Sequence, residues 1–362
     1  MGIKHLEEYR DPELAKRLID RIAQMPRHPV RLMEVCGTHT VSIFRSGVRS
    51  VLPDTISLVS GPGCPVCVTD QRDIDAFIEI SRKDGVIVAT FGDLIRVPGT
   101  NSSLQKERAD GRDIRVVYSA MDALDIARKN PDRQVVFLGI GFETTAPTIA
   151  ASIQAARMQG LANYLVYSAH KTVPAALETL VNAPDVRIDG FILPGHVSVM
   201  IGVNAYAFLT ERYKIPCVVA GFEPADILSA VYKLMRQIET GRPLLENAYP
   251  RAVTPEGNRR AIQIMEDVFE PVDAVWRGIG VIAGSGLKIR EKFADMDAAV
   301  RLDIQVPESQ PLKGCACGDI LKGSKTPLEC PLYQKRCTPM HPVGPCMVSS
   351  EGTCAAYYRY HQ

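Results

Sequence analysis

Short apolar runs alternate with amphipathic stretches through the first 240 residues of the chain. The runs are rich in β-branched residues, as buried strands are, and apolar positions at helical spacing follow them. This alternation predicts parallel sheets covered by helices on both faces. The predicted strands are residues 30–35, 56–59, 86–89, 114–117, 135–138, 164–167, 191–193 and 217–220.

Capping residues mark the start of two predicted helices. Asp11 followed by Pro12 is typical of a helix N-terminus, because Asp accepts hydrogen bonds from free backbone N–H groups and Pro suits the first helical position. Asp70 precedes apolar residues at Ile74 and Phe77, one helical turn apart. Both helices lie next to predicted strands, as the alternation requires.

The pattern divides the chain into three parts. It weakens after Gly241 and ends beyond Val306, and the last fifty residues contain Gly, Pro and Cys in place of periodic apolar residues. Residues 141–143 and 221–223 repeat Gly-Phe-Glu after a strand, which indicates two similar units. We predict an α/β fold with two similar Rossmann-like parallel-sheet domains, residues 1–118 and 119–240. The third domain, residues 241–362, is predicted to consist of helices and loops.

Charge and hydropathy argue against several classes of binding partner and against a membrane location. The chain has 362 residues, 42 basic and 41 acidic, and a formal net charge of +1 without a basic run, which argues against nucleic acid and anionic membranes. The first ten residues contain no apolar targeting segment, and residues 197–209 are too few to span a bilayer. We therefore expect a cytoplasmic protein, in which ten cysteines act as ligands or redox thiols.

A cysteine and a histidine follow the first predicted strand. Cys36-Gly-Thr-His39 places a thiol and an imidazole three residues apart, and Fe(II) accepts such a mixed ligand set. The pair by itself is equally compatible with an incidental spacing. A second thiol motif at a neighbouring strand end favours the functional interpretation.

That second motif is the dithiol Cys64-Pro-Val-Cys67, which follows the next strand. A helix N-terminus stabilises the thiolate form of a nearby cysteine. Pro62 with Gly63 indicates a rigid, exposed turn. The motif therefore predicts a reactive dithiol. Half of a structural metal site is the alternative.

His196 ends a strand of the second predicted unit, in Pro-Gly-His-Val-Ser. Ligands of doubly wound sheets bind at the carboxyl ends of strands, so His196 is a candidate site residue. A buried histidine with only a structural role is the commoner case. Cys217, in another predicted strand, we interpret as a buried apolar thiol.

Six cysteines occur in the last part of the chain, where few apolar residues are available to form a core. Metal coordination can order such a segment, because the binding energy replaces missing apolar burial. Four thiolates would hold an iron-sulfur cluster and leave two over, whereas zinc is the structural alternative. The six are Cys315, Cys317, Cys330, Cys337, Cys346 and Cys354.

Together these motifs resemble the [NiFe]-hydrogenase maturation factor HypD family. The resemblance implies an iron-sulfur protein, monomeric by itself, that works with a HypC-type small chaperone and a HypE-type cyanide donor. It also implies a scaffold on which the Fe(CN)2CO unit of the hydrogenase is built. The motifs that carry the resemblance are residues 36–39, 61–67, 141–147, 194–198 and 344–354.

Site roles follow from the same resemblance. Cys36 would bind the iron of Fe(CN)2CO, His39 would assist, and Cys64 with Cys67 would be the adjacent redox pair. His196 would lie in the same cleft. Glu351, between the last two cysteines, also matches a functional position of the family.

The resemblance further implies a 4Fe-4S cluster in the tail. The family cluster is similar to that of ferredoxin-thioredoxin reductase, in which ligands and a redox disulfide are interleaved. On that pattern Cys317 and Cys346 would be the redox pair. The cluster ligands would be Cys315, Cys330, Cys337 and Cys354.

We expect a redox-active maturation scaffold rather than a classical turnover enzyme. The main rival is an iron-sulfur-dependent thiol-disulfide oxidoreductase that acts on protein substrates. It would use Cys64 and Cys67 but leave Cys36 and His39 without a role. A structural scaffold with a zinc-bound tail is a third alternative.

Overall fold

The structure is a computed structural model that describes residues 11–25, 28–306, 308–309 and 313–361. The first ten residues, for which we predict no targeting segment, lie outside these ranges. Helices and strands alternate along the chain as the apolar pattern predicts. The strands are β1 (Val30–Glu34), β2 (Ile56–Ser60), β3 (Val86–Thr90), β4 (Ile114–Val116), β5 (Gln134–Gly139), β6 (Tyr164–Ser168), β7 (Gly190–Pro194), β8 (Cys217–Ala220), β9 (Leu245–Asn247), β10 (Phe269–Trp276) and β11 (Gly280–Ile289).

The α-helices cover both parallel sheets and continue into the tail. Both predicted N-caps are confirmed, because Asp11 accepts a hydrogen bond from Glu13 N–H and Asp70 accepts one from Arg72 N–H. The helices are α1 (Pro12–Ala23), α2 (Gly37–Arg45), α3 (Val48–Val51), α4 (Pro65–Val68), α5 (Gln71–Arg82), α6 (Leu104–Ala109), α7 (Ala120–Lys129), α8 (Ala146–Met158), α9 (Val173–Asn182), α10 (Gly195–Ile201), α11 (Ala207–Glu211), α12 (Pro224–Thr240), α13 (Arg259–Val268), α14 (Ala298–Arg301), α15 (Cys317–Leu321), α16 (Pro345–Val348) and α17 (Thr353–Tyr360).

Two parallel sheets form the body of the molecule. The first has the strand order β2-β1-β7-β8-β9 and the second the order β4-β3-β5-β6. Strands β3, β7 and β8 are buried along their whole length, as expected for parallel strands covered on both faces. The predicted α/β class with parallel sheets is confirmed.

The chain does not complete one sheet before starting the other. β1 and β2 pair with β7 and β8, while β3 and β4 belong to the sheet of β5 and β6. Sheet membership therefore crosses the predicted boundary between residues 118 and 119. Similar apolar strands carry no local signal for their partners, so only the tertiary pairing decides which sheet each one joins.

An antiparallel hairpin, β10–β11, follows the parallel sheets and was not predicted. Its register pairs Phe269 with Ile289 and Trp276 with Gly280. The prediction of only helices and loops after residue 240 was wrong here. Pro271, Gly284 and Gly286 weaken the strand pattern, because these residue types have low strand propensity.

One continuous hydrophobic cluster includes residues of both sheets and of the tail. Met33 of the first sheet, Val88 of the second, Cys67 and the tail residue Cys346 all belong to it. The tail is therefore packed against the body of the protein. Within the described ranges, no helix combines the length and apolar character that crossing a bilayer requires.

Candidate functional site

Cys36 lies at the junction between β1 and α2, where it is the N-cap residue of the helix. Its backbone N–H donates a 3.1 Å hydrogen bond to Glu34 Oε2. The thiol is 7 % exposed, and burial, helped by the charge of Glu351, raises its pKa to about 12. The thiol is therefore protonated at neutral pH, and a bound cation is the kind of group that would replace the proton.

The turn at residues 61–64 is fastened to the end of β1. Gly61 N–H donates to Glu34 O at 2.7 Å, and Gly37 N–H donates to Gly63 O at 3.0 Å. A Cβ on Gly63 would overlap the backbone of Cys36, 2.5 Å from its Cα. Only glycine permits this approach, which brings the dithiol motif next to Cys36.

Cys64 and Cys67 are joined as a disulfide, with their Cα atoms 5.3 Å apart. Cys64 is the N-cap of α4, a short helix that was not predicted, and Cys67 lies three residues before Asp70, the N-cap of the predicted helix α5. The two residues are only 4 % and 0 % exposed, so the prediction of an exposed turn was wrong. Gly63 allows the turn to pack closely against the end of β1 and does not lie in a solvent-exposed turn. A single sequence does not distinguish these two roles of glycine.

Glu351 brings the tail to the same place. Thr38 Oγ1 donates a 2.6 Å hydrogen bond to Glu351 Oε1. A Cβ on Gly37 would lie 2.5 Å from Glu351 Cβ, so the tail backbone rests on the first turn of α2. The carboxyl group of Glu351 thus lies beside the Cys36 motif.

His39 is buried beneath this motif with one ring nitrogen bonded and one free. Its Nε2 lies 2.9 Å from Gly221 O, and a carbonyl oxygen can only accept, so Nε2 carries the hydrogen. Burial lowers the pKa of His39 to about 4 and keeps the ring neutral. Among the described residues nothing bonds to the buried Nδ1.

Phe222 connects the two predicted histidines. Its ring centroid lies 4.7 Å from that of His39 and 4.0 Å from that of His196. Burial lowers the pKa of His196, and the charge of Glu351 partly opposes that shift. The structure therefore brings His196 to the His39 side of the site. Phe222 is not among the predicted site residues, although it belongs to the Gly-Phe-Glu repeat at residues 221–223.

The low pKa of His39 predicts a loss of stability in mild acid. In the unfolded chain a histidine takes up a proton near pH 6.5, whereas the folded protein resists protonation until about pH 4. Stability is therefore lost as the pH falls through this window. Between pH 7 and pH 5 we expect His39 to account for a decrease of about 2 kcal/mol in the free energy of unfolding.

The measurement is urea denaturation at both pH values, in the parent and in His39→Gln. Gln cannot titrate and can still donate a hydrogen bond to Gly221 O. The decrease should shrink by about 2 kcal/mol in His39→Gln and stay unchanged in His341→Gln, where the histidine is exposed. Equal decreases in all three proteins would contradict the argument.

The six tail cysteines surround a single small cavity. Cys317 Sγ and Cys346 Sγ lie 2.8 Å apart, so the predicted redox pair is in contact. Within the described part of the chain, no three or more His, Cys, Asp or Glu side chains form a ready-made metal-ion site. The cluster, its ligand set and the role of the pair stay predictions. The other lining residues are Ile320, Leu332, Tyr333, Gly344 and Met347.

The cavity adjoins the disulfide. Helix α16, which carries Cys346, packs against α4, which carries Cys67. A Cβ on Gly352 would lie 2.9 Å from Cys346 Cα, so Gly352 packs closely against Cys346. Glu351 is the residue before Gly352 and therefore lies near the tail cysteines. The two groups of sulfur atoms and the Cys36 motif therefore form one contiguous region.

Comparison with known proteins gives consistent matches along the chain. The family model described as "HypD: Hydrogenase formation hypA family" matches residues 13–361. The chain is 46 % identical to the hydrogenase maturation factor HypD of Rhodobacter capsulatus, with 99 % of this chain and 98 % of the relative aligned. It is 45 % identical to HypD of Azotobacter vinelandii, over 99 % and 97 % of the two chains. For HypD of Escherichia coli the identity is 42 %, over 99 % of each chain.

Proposed function

The chain belongs to the HypD family of hydrogenase maturation factors, and we propose that its part in maturation is that of an assembly scaffold. In this proposal the protein holds a single iron at Cys36 while two cyanide ligands and one carbon monoxide are attached. A HypC-type small chaperone shares the iron, and a HypE-type protein supplies cyanide. The iron is cargo, which leaves for the hydrogenase.

The observation that carries the proposal is the convergence of three segments on Cys36. Gly63 lies against its backbone, Glu351 lies against Gly37, and the Cys64–Cys67 disulfide follows directly. A soft thiol, a carboxylate and a disulfide thus meet at one strand end. Iron that receives π-accepting ligands needs a soft donor and nearby reducing power, and this set of groups supplies both.

Each residue has a distinct task in this scheme. The Cys36 thiol loses its proton when iron binds, because the metal compensates the charge that burial disfavours. Glu351, which accepts a hydrogen bond from Thr38 Oγ1, holds the first turn of α2 beside this thiol. His39 presents its unpaired Nδ1 lone pair, and His196 lines the neighbouring surface beside Phe222.

Electrons reach the disulfide from the tail. Oxidation of the Cys317 and Cys346 thiols to a disulfide releases two electrons and two protons. Reduction of the Cys64–Cys67 disulfide to two thiols takes up the same number, so the exchange balances without another reactant. Packing of α16 on α4 supports this exchange, because it brings the helix that carries Cys346 next to the helix that carries Cys67.

A 4Fe-4S cluster fits the tail, because the cavity is lined by six thiols and otherwise mainly by apolar groups. Cys315, Cys330, Cys337 and Cys354 would hold it, which leaves Cys317 and Cys346 free for the exchange. When bound, the cluster supplies electrons one at a time. The zinc alternative predicts a colourless protein without absorbance near ~400 nm, which thiolate-ligated iron clusters have.

The test is an infrared spectrum of the protein purified together with its small partner. Bands of metal-bound cyanide and carbon monoxide are expected, and the rival thiol-disulfide oxidoreductase predicts none. Burial of the disulfide also argues against that rival, since Cys67 is inaccessible to the thiol of another protein. A protein without these bands, isolated from cells that mature the hydrogenase, would refute the scaffold.

The disulfide should behave as a reversible two-electron couple. In Cys67→Ser, Cys64 has no partner with which to form a disulfide. One dithiol/disulfide couple should therefore be missing when the protein is titrated with mixtures of reduced and oxidised glutathione. Alkylation followed by mass counting of modified thiols measures this. Cys217→Ala is the matched control, because it removes a buried cysteine of the sheet and should retain the couple. If Cys67→Ser shows as many dithiol/disulfide couples as the parent protein, the Cys64–Cys67 disulfide is not redox-active.

A further inference from the structure

The second parallel sheet has a cavity of its own at the carboxyl end of β6. The chain beyond β6 runs beside the hairpin, because Lys171 pairs with Gly286 and Thr172 N–H donates to Ser285 O at 2.8 Å. Residues of this segment, of the hairpin and of the first turn of α5 line a cavity of about 460 Å³. Parallel α/β sheets bind ligands at the carboxyl ends of their strands, and this volume is typical of small-molecule sites. No step of the proposed iron assembly uses this cavity.

His170, which lines the cavity, has a buried nitrogen that can only accept a hydrogen bond. Ser168 Oγ lies 2.6 Å from Leu287 O and 2.9 Å from His170 Nδ1. A carbonyl oxygen cannot donate, so the hydroxyl hydrogen goes to Leu287 O and Ser168 Oγ accepts from Nδ1–H. Burial lowers the pKa of His170 to about 3, so the ring is neutral and Nε2 carries a lone pair. Among the described residues Nε2 has no hydrogen-bond partner.

A lysine and an aspartate lie side by side in the wall of the same cavity. Lys171 is 3 % exposed, and its Nζ lies 3.7 Å from Asp73 Oδ2, farther than an ideal hydrogen bond. Burial lowers the pKa of Lys171 and raises that of Asp73, while the charge of each residue opposes the shift of the other. The two charges therefore compensate each other only in part, and a ligand that brings one charge of each sign would stabilise both.

The other charged side chains of the cavity are already engaged or exposed. Asp70 caps α5, and Asp297 caps α14. Asp273 accepts a hydrogen bond from a backbone N–H of β11 at 3.0 Å. Arg72 and Lys288 are exposed, so water screens their charges. Lys171 and Asp73 are thus the charged groups best placed to select a ligand.

The hairpin gives the cavity an apolar wall. Val272 and Val275 are 40 % and 41 % exposed, and both line the cavity. Leu287 and Ile289 of the second hairpin strand line it as well. An aliphatic group placed against this wall would remove apolar surface from water, which is favourable.

We propose that this cavity binds a free aliphatic amino acid. The carboxylate of the ligand pairs with Lys171, and its ammonium group pairs with Asp73 and donates one N–H to His170 Nε2. The aliphatic side chain covers the valines of the hairpin. This inference is independent of the proposed iron scaffold, because it uses neither Cys36 nor the tail cysteines.

The test is isothermal titration calorimetry of the parent protein with L-leucine and two analogues. Isocaproate lacks the ammonium group, and isoamylamine lacks the carboxylate. Each analogue leaves one of the two buried charges without a partner, so leucine should bind at least about tenfold more tightly than either. An absence of leucine binding, or an analogue that binds as tightly as leucine, would overturn the proposal. This comparison needs no variant and therefore decides the question even if a variant does not fold.

Two variants test the assigned partners. Lys171→Met keeps an unbranched apolar stem without the charge and should weaken leucine binding at least about tenfold. His170→Phe keeps a ring without the acceptor and should weaken it about fivefold. Lys16→Met, which removes an exposed cation of α1, is the matched control and should keep the parent affinity. Parent affinity in folded Lys171→Met or folded His170→Phe would overturn the proposed binding mode.

Discussion

Replacing Cys36 with Ser should abolish the cyanide and carbonyl infrared bands of the protein purified with its small partner. A serine hydroxyl is a hard, neutral donor that does not ionise near neutral pH, so it cannot replace a thiolate on low-valent iron. The site is also buried, which disfavours an anion even on sulfur. The effect should be complete rather than partial, because the neighbouring Cys64 is joined to Cys67 in a disulfide and offers no free thiol to the iron.

The tail provides an internal control in the same sample. Its absorbance near ~400 nm should be unchanged in Cys36→Ser, because the substitution leaves the tail cysteines intact. Cys217→Ala, which removes a buried cysteine from β8 of the same sheet, should retain the infrared bands. Bands of full intensity in Cys36→Ser would contradict the assignment of Cys36 as the iron ligand.

Gly63→Ala should separate the disulfide turn from Cys36 and destabilise the fold. The three atoms nearest to the new Cβ would be backbone atoms of Val35 and Cys36, and backbone cannot rotate away as a flexible side chain can. Overpacking of this kind costs up to about 3 kcal/mol, and we expect a decrease of that size in the free energy of unfolding. Urea denaturation measures it, and the infrared bands of the purified complex should weaken in parallel.

Gly92→Ala tests whether the effect is specific to this contact. A Cβ on Gly92 would lie 3.7 Å from Val116 Cγ1, an ordinary van der Waals distance. Its free energy of unfolding should stay within about 0.5 kcal/mol of the parent, as usual for substitutions without a clash. A Gly63→Ala protein as stable as Gly92→Ala would show that the turn can move away from β1 at little cost.

The predicted strands all occur in the structure, because period and residue type are local properties of the chain. The run at residues 30–35 became β1, and the run at 217–220 became β8 with the same limits. The site motifs could also be predicted. Cys36 and Cys64 are predicted at strand ends. In the structure Cys36 follows β1 and Cys64 follows β2, and these two strands are parallel neighbours in one sheet.

Two features could not be predicted, and each depends on contacts between distant segments. The hairpin β10–β11 is stabilised by its packing, since Trp276 is buried and its Nε1–H donates to Ser285 Oγ at 2.8 Å. The burial of the disulfide depends on Gly63 fitting against β1.

The sequence by itself determined the family, the strand-and-helix alternation and the cysteine motifs, because each of these depends only on residue types and on spacings of a few residues. The tertiary structure alone decided which strands share a sheet, and that Glu351 lies against Gly37, more than three hundred residues earlier in the chain. Contacts at such separations depend on the shape and packing of whole elements, which no local pattern encodes.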